Sequence, residues 1–269
     1  SVIPNLRDAE EVCARIQRRQ GIKYRALVPN ARGAERAVES KLDELLGLLT
    51  VSESYLRKNQ NMTMDEAIDQ GVKCFRIADA AGMGFVMALG VAMWCAYEGT
   101  IPQDKTIAVL RRLHDGGIRR FYLAGSMGME DPMMVASLFR RAAKEFPGCE
   151  FGYHVHNLSG QGTANVLAAV DAGASFIEGS ICGIGGGIAM PTSVASVGNL
   201  PTEDLVCMFE SMGVRTGVSP QEAVAASREI AALLGITASS HASQIGTRDE
   251  MLNQGKHNPR NPQTAARDA

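Results

Sequence analysis

Apolar, β-branched runs alternate along the chain with amphipathic stretches whose apolar positions recur with a period near 3.6. That alternation predicts a parallel sheet wrapped by helices. Strands are expected over residues 24–28, 45–50, 85–92, 119–124, 150–156 and 175–180. Helices are expected over 6–19, 64–80, 104–114, 131–146 and 160–171, several of them closed by glycine pairs or Pro-Gly such as Gly116-Gly117 and Pro147-Gly148. Polar residues gather where the strands end: Ser52 and Glu53, Tyr97 and Glu98, Ser126, then His154 and His156. Both βα barrels and open α/β sheets carry their chemistry on that edge.

Six βα units fall short of the usual eight-stranded barrel. Either the sheet is open and doubly wound, or a barrel lacks its first units; the helix over 6–19 precedes the first strand as though its own strand lay before Ser1. A single catalytic domain is expected over 1–252. The stretch 253–269, with Gly255, Pro259 and Pro262 among polar residues, reads as an unstructured tail.

The chain has 269 residues, 45% of them hydrophobic and 28 of them glycine, enough to bury a substantial core. Lys and Arg number 27 against 29 Asp and Glu, a balance that gives no reason to expect nucleic acid or an anionic membrane surface as partner. The six cysteines, Cys13, Cys74, Cys95, Cys149, Cys182 and Cys207, are scattered without Cys-x-x-Cys spacing and read as reduced thiols. The apolar run over 85–95 is too short and glycine-interrupted to span a bilayer, so a cytoplasmic location is expected.

His154 and His156 stand out within Glu150-Phe-Gly-Tyr-His-Val-His-Asn157. Residues i and i+2 of a strand share a face, so two imidazoles can reach one divalent ion. A bare His-x-His is equally well a hydrogen-bonded or surface pair, and the context has to decide. That context is Asn157 and the glycine-rich stretch 183–187, whose N–H groups can bind a thioester oxygen or phosphate, although glycines also serve tight turns. His241 reads as an exposed histidine or one lining the mouth of the site. Met127, Met129, Met133 and Met134 read as packing residues or the lining of an acyl pocket.

A longer ordered string follows the histidines: Ser159-Gly-Gln-Gly-Thr-Ala-Asn165, Ala174-Ser-Phe-Ile-Glu178, Gly183-Ile-Gly-Gly-Gly-Ile-Ala-Met-Pro191 and Gly198-Asn-Leu-Pro-Thr-Glu-Asp-Leu-Val206. It resembles the 3-hydroxy-3-methylglutaryl-CoA (HMG-CoA) lyase family of the DRE-TIM metallolyases, as do Ser52-Glu-Ser-Tyr-Leu-Arg-Lys-Asn-Gln-Asn61, Ala96-Tyr-Glu-Gly99 and Ala238-Ser-Ser240. The resemblance implies an α/β fold, the (β/α)8 TIM barrel, with its first strand, first helix and second strand lying before Ser1. It implies Mg²⁺ or Mn²⁺ held by His154, His156 and the amide oxygen of Asn199. The family's further ligand, an Asp at the end of the first barrel strand, has no counterpart here; Arg7-Asp8 leads into a helix instead. It also implies an acyl-CoA or a hydroxy or keto acid as small-molecule partner, and leaves a homo-oligomer open. His154 is then catalytic as well as a ligand, with Glu53 and Ser126 as further catalytic candidates. Gly185, Gly186, Gly187 and Asn157 are candidates for binding substrate.

The chain also departs from the pattern. Gly187 stands where the family has its acidic Cys, leaving Cys182 as a substitute acid or simply a buried thiol. Ala124-Gly125-Ser126 stands where Gly-Asp-Thr is usual. The expected activity is metal-dependent cleavage of a 3-hydroxyacyl-CoA to a thioester enolate, giving acetyl-CoA, and a keto acid. The alternatives are an aldolase or Claisen-type synthase of the same superfamily, or a non-catalytic paralogue.

Overall fold

This computed structural model describes residues 6–186 and 198–258. In chain order the elements are α1 (Ala9–Arg15), β1 (Arg25–Val28), α2 (Ala31–Glu39), β2 (Glu44–Thr50), α3 (Glu53–Gln60), α4 (Met64–Ala80), β3 (Gly84–Gly90), and a small antiparallel pair, β4 (Trp94–Cys95) with β5 (Gly99–Thr100). There follow α5 (Gln103–Asp115), β6 (Arg120–Gly125), α6 (Pro132–Glu145), β7 (Glu150–Val155), α7 (Gly162–Asp171) and β8 (Phe176–Glu178). The chain closes with α8 (Thr202–Ser211), α9 (Pro220–Leu234), α10 (His241–Ile245) and α11 (Arg248–Lys256).

The six expected strands form one parallel sheet among the described residues, in the order β1-β2-β3-β6-β7-β8. Its outer face carries the main core. Leu45, Leu49, Phe85, Met87, Phe121, Phe151 and Tyr153 pack there against helix residues such as Leu110, Leu113, Leu138 and Phe139. The alternate residues Leu46, Val86, Ala88, Tyr122 and Ala124 form a smaller cluster on the concave face. A strand with apolar residues on both faces is what a helix-covered parallel sheet demands. The sheet curls enough that Arg25 Nη1 of β1 reaches Glu178 Oε2 of β8 at 3.6 Å, across the concave side from one end of the strand order to the other. At the base of that side Glu44, 2% exposed, is hydrogen-bonded by Arg25 and Arg120. Burial alone would raise its pKa, but hydrogen bonds from Arg120 and Arg25 outweigh burial and lower it.

Local chemistry sets the boundaries. α4 starts at a reciprocal Thr63–Glu66 capping box, and α6 at Asp131 followed by Pro132 in the first turn. The third strand stops at Gly90, short of the expected residue 92, because Val91 turns to φ 54° and gives its N–H to Ser126 Oγ at 2.9 Å. The strand expected over 175–180 is reduced to Phe176–Glu178, and the helix expected over 6–19 to Ala9–Arg15, where Ile16 becomes extended. One expectation is corrected: the chain is still helical at 253–256, because a Thr247–Glu250 capping box nucleates α11 through Lys256.

Candidate metal centre and active site

β7 and the residue that follows it present two histidines on one side because the alternate residues, Tyr153 and Val155, are claimed by the other. Tyr153, fully buried, packs edge-on against Phe139 and donates its hydroxyl to Glu130 Oε1, while Val155 joins the outer core. His154 therefore stands on the concave face, stacked on Tyr122 with ring centroids 5.5 Å apart. The His156 ring lies 5.2 Å from that of His154, at 72° to it. His156 is 5% exposed; its burial, and secondarily the nearby His154, push its pKa down to about 3. It is a neutral imidazole, as a metal ligand must be.

The segment 198–200 clips onto the end of this strand. Asn157 donates its N–H to the Gly198 carbonyl, Leu200 donates to the Val155 carbonyl, and His156 and Asn199 form an antiparallel bridge. Two glycines permit the close approach. A Cβ on Gly198 would stand 2.8 Å from His156 Nδ1, and one on Gly185, whose φ is +111°, 2.5 Å from Asn199 Nδ2. The Asn199 amide is oriented by its Nδ2, which donates to the Ile184 carbonyl at 2.8 Å, so that Oδ1 is left buried and unpartnered. His154 Nδ1 and His156 Nδ1 are likewise buried without a hydrogen bond. Each such orphan costs about 1–3 kcal/mol. The His156 and Asn199 orphans, on bridged residues with the His154 ring alongside, fit a site that receives a ligand, and two imidazoles with one amide oxygen suit a divalent cation. Among the described residues no three His, Cys, Asp or Glu side chains cluster for metal binding, so the set depends on the amide.

The other candidates fall elsewhere. Cys182 adopts φ 60° and turns its thiol into α9, with Sγ 3.1 Å from the Ser227 carbonyl, beside Ala231 and Ala238. Its backbone N–H is held by the buried Glu203, which also accepts from Ser227 and Ser243. The thiol is buried and packed. Asn157 spends its side-chain oxygen on the Gly162 N–H at the start of α7. Ser126 fixes the turn at Val91, as above. Glu53 lies exposed in the first turn of α3, 3.8 Å from Lys105 Nζ. Gly185 and Gly186 are exposed beside Asn199, and Gly187 lies outside the described residues. His241 is exposed; Met127 is buried, whereas Met129 and Met133 are exposed.

Sequence reasoning assigned no role to Glu98 or Glu178. Glu98 accepts from Ser52 Oγ and the Ser54 N–H, both at 2.8 Å, and pairs with Lys105 at 3.2 Å. Burial works against its ionisation, but those hydrogen bonds outweigh it and take its pKa down to about 2. Its place at the strand-end edge, next to Tyr97, was the available signal. Glu178 Oε1 stands 3.3 Å from His154 Nδ1, in ion-pair range though not aligned as a hydrogen bond. Only the cross-strand register, His154 opposite Glu178, brings these two together.

The chain matches the HMGL-like family model over residues 4–230. The chain belongs to the HMGL-like family. It is 31% identical over 242 residues to the mitochondrial hydroxymethylglutaryl-CoA lyase of Mus musculus, which covers 90% of this chain and 74% of that one. It is also 31% identical over 243 residues to the hydroxymethylglutaryl-CoA lyase of Bacillus subtilis, over 90% of this chain and 80% of the relative. A solved HMG-CoA lyase from Acinetobacter baumannii, in complex with coenzyme A and 3-methylmalate, superposes with a TM-score of 0.85 at 31% identity, covering 91% of this chain and 79% of that chain. The curled parallel sheet is thus the TIM-barrel architecture of the HMGL-like lyases, and this chain is a lyase of that family. Its enzymes are metal-dependent.

Proposed function

We propose that this HMGL-like lyase is metal-dependent and cleaves a 3-hydroxyacyl-CoA into a thioester enolate, released as acetyl-CoA or a relative, and a keto acid. The observation that supports it best is the convergence of the His154 and His156 rings with Asn199 at the C-terminal end of β7, where Asn199 Oδ1 and His156 Nδ1 are buried without a hydrogen-bond partner. Mg²⁺ or Mn²⁺ held there would supply Lewis-acid stabilisation of charge developing on the substrate's hydroxyl and a neighbouring oxygen. His156 contributes a neutral ring, His154 a second, and Asn199 an amide oxygen whose direction the Ile184 carbonyl fixes. Gly185 and Gly186, exposed alongside, offer backbone N–H groups to the thioester oxygen. The reaction removes the hydroxyl proton, breaks the bond between C2 and C3 as the keto group forms, and leaves an enolate that takes up a proton at C2. The hydrogen bond from Cys182 Sγ to the Ser227 carbonyl favours reading this thiol as packing over reading it as the donor of that proton.

The coenzyme A and 3-methylmalate bound to the Acinetobacter relative support an acyl-CoA substrate. Six free cysteines support a reducing, cytoplasmic setting. Among the described residues no helix is long and apolar enough to cross a membrane. Gly187 and Gly125 favour one second reading, a superfamily aldolase or Claisen-type synthase acting on another acyl group. A panel of 3-hydroxyacyl-CoAs assayed with Mn²⁺ for acetyl-CoA release, and in reverse for condensation, separates the two. We expect cleavage of at least one member, with HMG-CoA cleaved roughly 10² to 10⁴-fold more slowly than by relatives that carry the acidic Cys, because residue 187 is glycine. Cleavage of none, alongside condensation, would favour the synthase.

A further inference from the structure

Glu178 is a carboxylate on the concave face, at the last position of β8, directly across the register from His154. Its two oxygens face different partners. Oε1 is 3.3 Å from His154 Nδ1 and Oε2 is 3.6 Å from Arg25 Nη1, while Arg25 is itself anchored through two hydrogen bonds to the buried Glu44. His154 Nδ1 is buried with no hydrogen-bond partner, and Glu178 is the carboxylate that lies against it. On its other side the ring is confined by Tyr122. A carboxylate at one ring nitrogen fixes the tautomer, holds the ring in plane and raises the basicity of the opposite nitrogen. Such contacts are often poorly aligned without ligand and tighten when the ligand binds.

We infer that Glu178 is a positioning residue for His154. It accepts the Nδ1 proton, and Arg25 braces it from behind, so that Nε2 is the nitrogen left for the cation. The inference rests on the proposed metal reading for its consequence, and the two can fail separately. It also gives a function to the contact across the curled sheet, because a charge on β1 braces a group on β8 that in turn sets a ligand on β7.

The test uses the full chain and the isosteric variant Glu178→Gln, with Glu178→Ala as a second variant and circular dichroism to establish that each is folded. The first readout needs no metal: nitrogen-15 NMR of the His154 ring in the metal-free protein. Wild type is expected to carry its proton on Nδ1, and both variants to shift toward the Nε2–H form. The second is the Mn²⁺ dissociation constant, expected to rise about 10–100-fold in both variants. A folded Glu178→Gln with the wild-type tautomer overturns the inference, as does an unchanged Mn²⁺ affinity. If wild type binds no Mn²⁺ yet its tautomer depends on Glu178, the metal reading fails while the positioning of His154 by Glu178 stands.

Discussion

At the scale of single residues, two ionisable groups make the site sensitive to acid in defined windows. His156 has a folded pKa of about 3, below the ~6.5 of an unfolded histidine. Between those values the unfolded chain binds the extra proton, so stability rises with pH across that window. The His156 ring resonances are therefore expected not to titrate between pH 5 and 8, and ordinary titration near pH 6.5 would contradict the burial. Glu98 works through its own depressed pKa, about 2 against an ordinary 4.5. Its contribution is present in full above pH 4.5 and is lost as the pH falls toward 2. Glu98→Gln is expected to lower the urea midpoint at pH 7 and to flatten the decline between pH 4.5 and 2. An acid limb identical to wild type would refute that role. Cys182→Ala removes a thiol packed against Ser227 of α9, so turnover is expected to persist with a modest loss of stability; abolished turnover in a folded variant would restore Cys182 as the acid.

At the scale of elements, the strands and helices were readable because each is locally consistent. The continuous apolar runs at 45–50 and 85–90 are those of strands buried on both faces, and the capped amphipathic repeat at 64–80 appears as α4 over that same span. What the sequence did not disclose lies between elements. The left-handed turn that buries Cys182, the pairing of Glu178 with His154, and the locking of Asn157 onto Gly162 are set by the way loops land on neighbouring strands and helices. Periodicity carries no record of them. The His-x-His pair was legible as two groups on one face, but not that Asn199 pairs beside His156. The β7–β8 contact shows how tightly elements are fitted: a Cβ on Gly152 would fall 2.1 Å from the Phe176 ring, whose centroid lies 6.0 Å from the guanidinium carbons of both Arg25 and Arg120. Gly152→Ala must displace the Phe176 ring or β8 itself, and a loss of about 1–3 kcal/mol is expected in chemical denaturation. A neutral result would mean that Phe176 is free to move.

At the scale of the whole molecule, curling brings chemistry from distant parts of the chain to one edge. β7 and the residue just after it supply two rings, the loop entering α8 supplies an amide, and β1 and β8 meet across the concave side through Arg25 and Glu178. Resemblance to a known family supplied the barrel and the reaction class, and the HMGL-like match and the superposed lyases agree with both. The central claim is that His154, His156 and Asn199 hold one divalent cation. Mn²⁺ titration followed by electron paramagnetic resonance, on the full chain and on folded His156→Ala and Asn199→Ala variants, tests it most directly. One bound Mn²⁺ per chain is expected, with affinity reduced by at least about 10-fold in each variant. Absence of Mn²⁺ binding to the wild-type chain, or wild-type affinity in both variants, would contradict it.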